Sequence, residues 1–403
     1  VKLDDRQKQR ILTAGVNRLM EVLRPEGEAR VVGGAVRDVV MGRVSGDIDM
    51  AVNLPPDRMV ALLGEKSIKT VPTGLAHGTL TAVVDHVGYE ITSLRHDVET
   101  DGRHARVAFT DDWRADATRR DFTFNALYCD VDGTVYDYFT GLDDAREGRV
   151  RFIGEACARI NEDVLRILRF FRFHAWFAKT EPDAEGLRAC RELAHLIPRL
   201  SAERVARETL KLLAAENPLP AWQLMIENGI LPHFLPETTD TARLQNLLAN
   251  EKQYSEAFIP LTRLSALLPP DQKIAAATAM RFKLSSRDGD RLRVLALLPT
   301  LVQTDASPLA LRRLLYKYGS AACRAALLIG GMNIDDALLT VTNWENPIFP
   351  LKGEDIVKLG IPAGPHIGEI LREAEAWWVA GDFRASHDIC LTHAQAYMEK
   401  HSK

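Results

Sequence analysis

Two aspartates one residue apart, Asp47 and Asp49 in "SGDIDM", follow the glycine-bearing stretch "VVGGAVRD", Val31 to Asp38. Side chains alternate faces along a strand, so if "DIDMAV" is a strand the two carboxylates point the same way and Ile48 and Met50 point into the core. Paired carboxylates repel unless a cation sits between them. Mg²⁺ takes hard oxygen ligands and usually stays bound to substrate phosphates. Such a pair is the working part of a two-metal site, with ions roughly 3.5–4 Å apart. Glu90 in "GYEITSLR" is the candidate third ligand. Upstream, Gly33 and Gly34 let backbone approach a phosphate closely. A helix starting near Val36 would turn free N–H groups toward that phosphate, and Arg37 supplies a fixed positive fork. No G-K-[ST] follows, so this is not a Walker A loop. A lone D-x-D is better read as an exposed turn with ordinary surface acids. Metal, phosphate cradle and arginine together indicate nucleotidyl transfer.

The next chemically dense stretch is "RRDFTFNAL", Arg119 to Leu127. Arg119 and Arg120 suit phosphates or acidic partners, and Asp121 and Asn125 suit a ribose hydroxyl. The plainer alternative is a helix start capped by Asp121 or Thr123. At this point the chain resembles the class II tRNA nucleotidyltransferases, the CCA-adding enzymes, and their bacterial poly(A) polymerase relatives. "GGAVRD…GDIDM" resembles motif A and "RRDFTFNAL" motif B. "DYFTGLDDA", Asp137 to Ala145, resembles motif C, with Ala145 in place of the usual Leu. "EDVLR", Glu162 to Arg166, resembles motif D, and "SAERVARE", Ser201 to Glu208, motif E. Five motifs in order are far more specific than any one of them.

The resemblance gives "EDVLR" a role. Asp163 and Arg166 are three apart and would share a helix face. A carboxylate accepts from a base amino group and a guanidinium donates to ring acceptors. In the family this pair is the protein template for the incoming CTP or ATP, and Arg169 is counted with them as nucleotide-binding. The alternative is an i,i+3 salt bridge of ~0.2–0.5 kcal/mol. "LRHDVETDGRHARVAFTDDW", Leu94 to Trp113, reads as a mobile polar loop around Gly102. In the family a loop here helps switch the site from CTP to ATP, which makes Arg95 and Arg103 candidates for nucleotide or switching contacts. His96 and His104 lack a matching ligand set, and the dipeptides His96-Asp97 and His387-Asp388 make no metal-hydrolase motif.

These residues need a scaffold. Leu3 to about Leu23 reads as one polar-faced helix. From Val31, "ARVVGG", "DIDMAV", "TLTAVVD", "YEITSL" and "VYDYF" read as strands around a helix "PDRMVALLGEK". After Arg151 strand signals nearly stop and helical periodicity takes over. Val164, Leu168, Phe171 and Ala175 repeat at core spacing, and either Trp377 or Trp378 is expected to be buried. The fold class is therefore α+β, with a mixed sheet first and an all-α remainder. The resemblance implies a polymerase β-like nucleotidyltransferase head over 1–150, a helical neck carrying the template helix over 151–215, and a helical body and tail for tRNA over 216–403.

At 403 residues the chain is long enough for two or more units. A hydrophobic share of 46% with 26% charged residues is that of a globular protein. No apolar run approaches the ~20 residues of a membrane span, and the first ten residues hold no apolar signal region. Five scattered cysteines without a C-x-x-C pair indicate reduced thiols and a cytoplasmic location. The net charge of −4 argues against a wholly basic RNA binder but not against a local basic cleft. The leading expectation is a CCA-adding enzyme using CTP, ATP, Mg²⁺ and tRNA, held at its acceptor end and elbow, as a monomer or dimer. The alternatives are a poly(A) polymerase, a CC-only or A-only variant, and a catalytically idle RNA-binding protein.

Overall fold

The computed structural model describes residues 1–403 apart from 45, 75–77, 101–104, 305–306, 331–333, 361, 363 and 402–403; for 97–100, 105–107 and 401 it describes backbone alone. Contacts divide the chain into two units, Val1–Pro236 and Glu237–Lys403.

The first unit opens with two helices, α1 (Asp5–Ile11) and α2 (Ala14–Leu23), where one was expected. The break follows from capping. The Thr13 hydroxyl accepts the Val16 N–H and starts a second helix, just as Asp4 and Gln7 form a reciprocal cap on the first. The strands are β1 (Ala29–Val32), β2 (Asp49–Val52), β3 (Lys69–Gly74), β4 (Thr79–Val84), β5 (Val87–Ser93), β6 (Arg95–Thr100), β7 (Ala105–Phe109), β8 (Leu127–Cys129) and β9 (Val135–Asp137). Seven of them form one sheet in the order β3-β4-β5-β2-β1-β8-β9, while β6 and β7 pair separately. The sheet is mixed, because β2 and β5 run parallel and the other neighbours antiparallel.

The period of two sorts the core. Val31, Met50 and Ile91 face one side of the sheet, joining Leu19 of α2, Val36 and Val39 of α3 (Gly34–Val40), and Met59 and Leu63 of α4 (Pro56–Glu65). Val32, Ala51 and Tyr128 face the other side, packed with Trp113 and Ala117 of α5 (Trp113–Thr118). Asp49 shares its parity with Ala51 and so belongs to this second side.

After β9 come α6 (Gly141–Glu147), α7 (Ala156–Glu162), α8 (Leu165–Phe177), α9 (Ala184–Leu193), α10 (Ala202–Leu213) and α11 (Leu219–Glu227). An aromatic cluster ties the α8 region to the sheet-bearing part. Phe122 lies 4.8 Å from Phe152 and 5.2 Å from Phe173, and Phe152 stacks on Phe170 at 5.7 Å. The buried face of α8 is thus wider than the spacing had indicated. Leu168 and Phe171 are core, but so are Ile167, Phe170 and Phe173, while Val164 and Ala175 are only half-buried.

Between Ala242–Gln253 and His387–His401 the second unit is helical among the described residues. Its interior holds an ion pair between Arg263 and Glu251, Nη2 to Oε2 2.6 Å, with both side chains buried. Near its end Trp378 is buried with Leu351, Ile356 and Ile370, and Trp377 stacks on His393 at 4.2 Å.

Candidate active site

A cleft of about 650 Å³ opens in the first unit. Asp49 and Glu90 form one wall of it. They are register partners on the parallel strands β2 and β5, so their side chains emerge next to each other. Asp47 lies just before β2 rather than on it, because the strand begins only at Asp49. Its charge still reaches Asp49. Partial desolvation, then Glu90, then Asp47 push the Asp49 carboxyl above its ordinary value, against a weaker opposite pull from Arg120. Among the described residues no group of three or more His, Cys, Asp or Glu side chains is placed to hold a metal ion by itself. An open wall of hard oxygens whose mutual repulsion at Asp49 is offset by Arg120 only in part fits a divalent cation that shares its ligands with a substrate phosphate.

The glycines lie beside Asp49, because Val32, just before them on β1, is its register partner. Gly33 has φ 70°, a conformation that disfavours any side chain, and it heads α3. That helix begins at Gly34, two residues before the expected Val36. Arg37 lines the cleft but is buried and already engaged. It donates to Asp38 Oδ1 at 2.9 Å and to Asn125 Oδ1 at 2.7 Å, and its guanidinium sits 4.2 Å over the Phe177 ring. Asn125 in turn donates to Asp121 Oδ1 at 3.0 Å, and Asp121 Oδ2 accepts from Arg169 Nε at 2.6 Å. Burial favours the protonated Asp121, but Arg169, Asn125 and the Phe122 N–H outweigh it and hold the carboxyl at about 2. This Arg37–Asn125–Asp121–Arg169 chain is a rigid floor beneath the cleft.

Arg119 and Arg120 are both held by Asp116. Arg119 Nε reaches Oδ1 at 3.0 Å and Arg120 Nη2 reaches Oδ2 at 3.1 Å, while Tyr128 donates its hydroxyl to Oδ2 at 2.7 Å. Asp116 is buried, which would favour its neutral form, but the two guanidiniums hold it ionised, below its ordinary value. Its spacing of three and four residues from Arg119 and Arg120 is the signal that the sequence carries for it. Arg95 opens strand β6, and its backbone N–H also donates to Asp116, at 3.3 Å. The expected loop is therefore a β-hairpin among its described residues, because "RHDVET" and "ARVAF" pair in antiparallel register. Arg103 and His104 lie outside the described residues.

Asp163 does not sit on the template helix, as its spacing had indicated. It has extended backbone, φ −149°, between α7 and α8, and its Oδ1 accepts the Leu165 N–H at 3.1 Å. Nor does it pair with Arg166. Its Oδ2 accepts from Arg204 Nη2 at 2.7 Å, whereas Arg166 Nη1 donates to Glu162 Oε2 at 2.7 Å and to the Arg159 carbonyl at 2.7 Å. Arg166 Nη2 donates to the Arg119 carbonyl at 3.0 Å. Among the described residues its Nε–H and one Nη2–H remain unspent. Asp163, Arg166 and Arg169 all line the cleft. So do Arg172 and Lys211, which sequence reasoning passed over. Eight Arg or Lys side chains line it against four carboxylates, which makes the cleft electropositive in a chain of net charge −4.

The third stretch of the ordered set serves the second. Asp137 accepts the N–H groups of Phe139, Gly141 and Leu142 and so starts α6. Asp144, on that helix, accepts the Thr123 hydroxyl at 2.6 Å and the Arg151 guanidinium at 2.8 Å.

Comparison with known proteins gives the chain its family. Residues 29–151 match the family model "Poly A polymerase head domain", and residues 181–241 match "Probable RNA and SrmB- binding site of polymerase A". The mouse protein "CCA tRNA nucleotidyltransferase 1, mitochondrial" is 33% identical over 404 residues, covering 98% of this chain and 92% of its own. The chain belongs to the family of CCA-adding tRNA nucleotidyltransferases and poly(A) polymerases. A CCA-adding enzyme of Lactobacillus johnsonii, from the same family, is 30% identical over 90% of this chain and 92% of its own. The fold of the family extends over the whole chain. The Bacillus stearothermophilus CCA-adding enzyme, solved in complex with CTP, superposes with a TM-score of 0.80 at 24% identity, covering 99% of both chains. Nucleotidyltransferases with this head generally use a divalent metal. No helix among the described residues is long and apolar enough to cross a membrane.

Proposed function

We propose that this chain adds C, C and A to the 3′ end of tRNA from CTP and ATP, releasing pyrophosphate, with no nucleic-acid template. The observation that carries the reading is that Asp49, the arginines beside it, and the Asp163/Arg166 pair face one cleft. Catalytic carboxylates, triphosphate-binding cations and a base-reading edge are thus within reach of a single nucleotide.

Asp47 and Asp49 would hold Mg²⁺, with Glu90 as a third ligand. The ion, when bound, lowers the pKa of the attacking hydroxyl and neutralises charge on the leaving oxygen. Arg119 and Arg120, pre-oriented by Asp116, hold the triphosphate electrostatically. The backbone at Gly33 and Gly34 gives it room, and the buried Arg37 braces Asn125 behind it. The Asp121–Arg169 pair fixes the floor. Asp163 accepts from cytosine N4 or adenine N6, and the unspent edge of Arg166 donates to a ring acceptor; uracil and guanine present a carbonyl where Asp163 needs a donor. Arg95, on the hairpin, and Arg103, outside the described residues, are the proposed contacts for switching from C to A. Residues 1–150 are the proposed head, 151–215 the neck and 216–403 the tRNA-binding body and tail. Five unbridged cysteines fit a reducing compartment, and cytoplasmic residence is part of the proposal.

The test is extension of a tRNA ending before CCA, with CTP and ATP supplied singly and together. Two C and one A followed by arrest is the expected product. A long A tail on unrelated RNA would mark a poly(A) polymerase, and no incorporation by folded protein would refute the enzymatic reading.

A further inference from the structure

The "SAERVARE" stretch has no part in the chemistry described so far, yet it grips the base-reading residues from behind. Arg204 and Glu208 lie four apart on α10 and therefore on one face. Arg204 Nη2 donates to Asp163 Oδ2 at 2.7 Å. Glu208, buried, accepts from Arg172 Nε at 2.5 Å, one turn beyond Arg169 on α8. Arg204 does not line the cleft, whereas Asp163 does.

A carboxylate accepts hydrogen bonds near its own plane. Whether Asp163 can meet a base amino group therefore depends on the rotation of that plane. Two donors define it. The Leu165 N–H on Oδ1, at 3.1 Å, belongs to the backbone and constrains one oxygen. The guanidinium on Oδ2, charge-assisted and shorter, constrains the other. With both in place, the remaining lone pairs are the ones offered to the cleft. With Arg204 gone, the carboxylate pivots about its backbone contact. Water or a rotated geometry can then satisfy a uracil or guanine carbonyl as readily as a cytosine or adenine amine.

We propose that Arg204 is a specificity-determining positioning residue: it never touches the nucleotide, but by pinning the Asp163 carboxylate it sets which bases the cleft accepts. This inference rests on the reading of Asp163 as the base-reading acceptor. Both side chains of the pair are partly exposed, so replacing Arg204 leaves no fully buried charge at Asp163.

The experiment measures single-nucleotide incorporation on tRNA ending before CCA, with each of the four NTPs, for wild type, Arg204→Gln and Arg204→Lys. Wild-type C addition is the control that separates failure of the enzymatic reading from failure of this inference. Arg204→Gln is expected to lower kcat/KM for CTP and to raise the UTP/CTP incorporation ratio about tenfold, as for a lost hydrogen bond to a charged group. Arg204→Lys keeps a cationic donor and should recover most of the discrimination. Thermal unfolding of each variant reports the fold. A uniform loss with all four nucleotides would reduce Arg204 to a structural residue and overturn the proposal, as would an unchanged ratio. Should Arg204→Gln prove unstable, Arg204→Met takes its place, and an unchanged UTP/CTP ratio in that variant would overturn the proposal as well.

Discussion

Gly141 lies against the Thr123 carbonyl so closely that a Cβ on it would stand 2.2 Å from that oxygen. The contact joins α6 to the stretch that carries Asp121 and Asn125, and the Asp144–Thr123 bond reinforces it. Gly141→Ala must therefore push two backbones apart. It should destabilise the protein by about 1–3 kcal/mol or more and lower nucleotide incorporation with it. Thermal unfolding and incorporation measured on the same preparation test this. An unchanged melting temperature would show that the two segments are not locked.

Asp121 should make the first unit acid-sensitive in a defined window. Its folded-state carboxyl titrates near 2, below the ordinary ~3.9 of the unfolded chain. A depressed pKa contributes stability that is present above the unfolded value and lost as pH falls through the folded one. The contribution is on the order of 2 kcal/mol at neutral pH, and it disappears between about pH 4 and pH 2. Urea unfolding across that range should show the loss in wild type and a flatter profile in Asp121→Asn. Parallel profiles for the two proteins would rule the linkage out.

Asp49 behaves in the opposite sense. Its folded pKa is raised by desolvation, Glu90 and Asp47, so without metal its charge costs stability as pH rises through that value. Asp49→Asn should slightly raise the melting temperature of metal-free protein while cutting incorporation on the order of a thousandfold. Mg²⁺ should raise the melting temperature of wild type more than that of the variant. Equal metal responses would remove Asp49 from the ion site.

The paired charges inside the second unit should be fragile when split. Arg263 and Glu251 are both buried and joined through two oxygens. Glu251→Gln leaves a buried guanidinium without its countercharge and should cost about 3–5 kcal/mol. An unfolding free energy from denaturant titration lowered by less than a quarter of that would mean that other acceptors of Arg263 suffice.

Local periodicity is what made Asp49 and Glu90 legible. Both sit on strands, where a period of two assigns faces, and both sit before recognisably apolar positions such as Met50 and Ile91. The same ruler failed at Asp163. Spacing of three implies one helix face only if both residues are helical, and Asp163 is instead the extended residue that starts the helix. The partners of the site were hidden for a different reason. Arg204 is 41 residues from Asp163, and no periodicity encodes a tertiary ion pair. Asp116 was within range of helical spacing, but a charged residue among arginines reads equally as a solvated face. The hairpin at Arg95 reads as a loop in the sequence because its polar composition masks the pairing of two short strands.

The account's central claim is that one cleft houses two separable functions, bond formation at Asp49 and base choice at Asp163. The most direct measurement compares Asp49→Asn and Asp163→Ala on tRNA ending before CCA, with each NTP in turn and with pyrophosphate release as the second readout. Asp49→Asn should lose incorporation of every nucleotide. Asp163→Ala should still release pyrophosphate, but with its preference for CTP and ATP over UTP and GTP largely erased. An Asp163→Ala enzyme that discriminates like wild type, or an Asp49→Asn enzyme that still extends tRNA, would contradict the account.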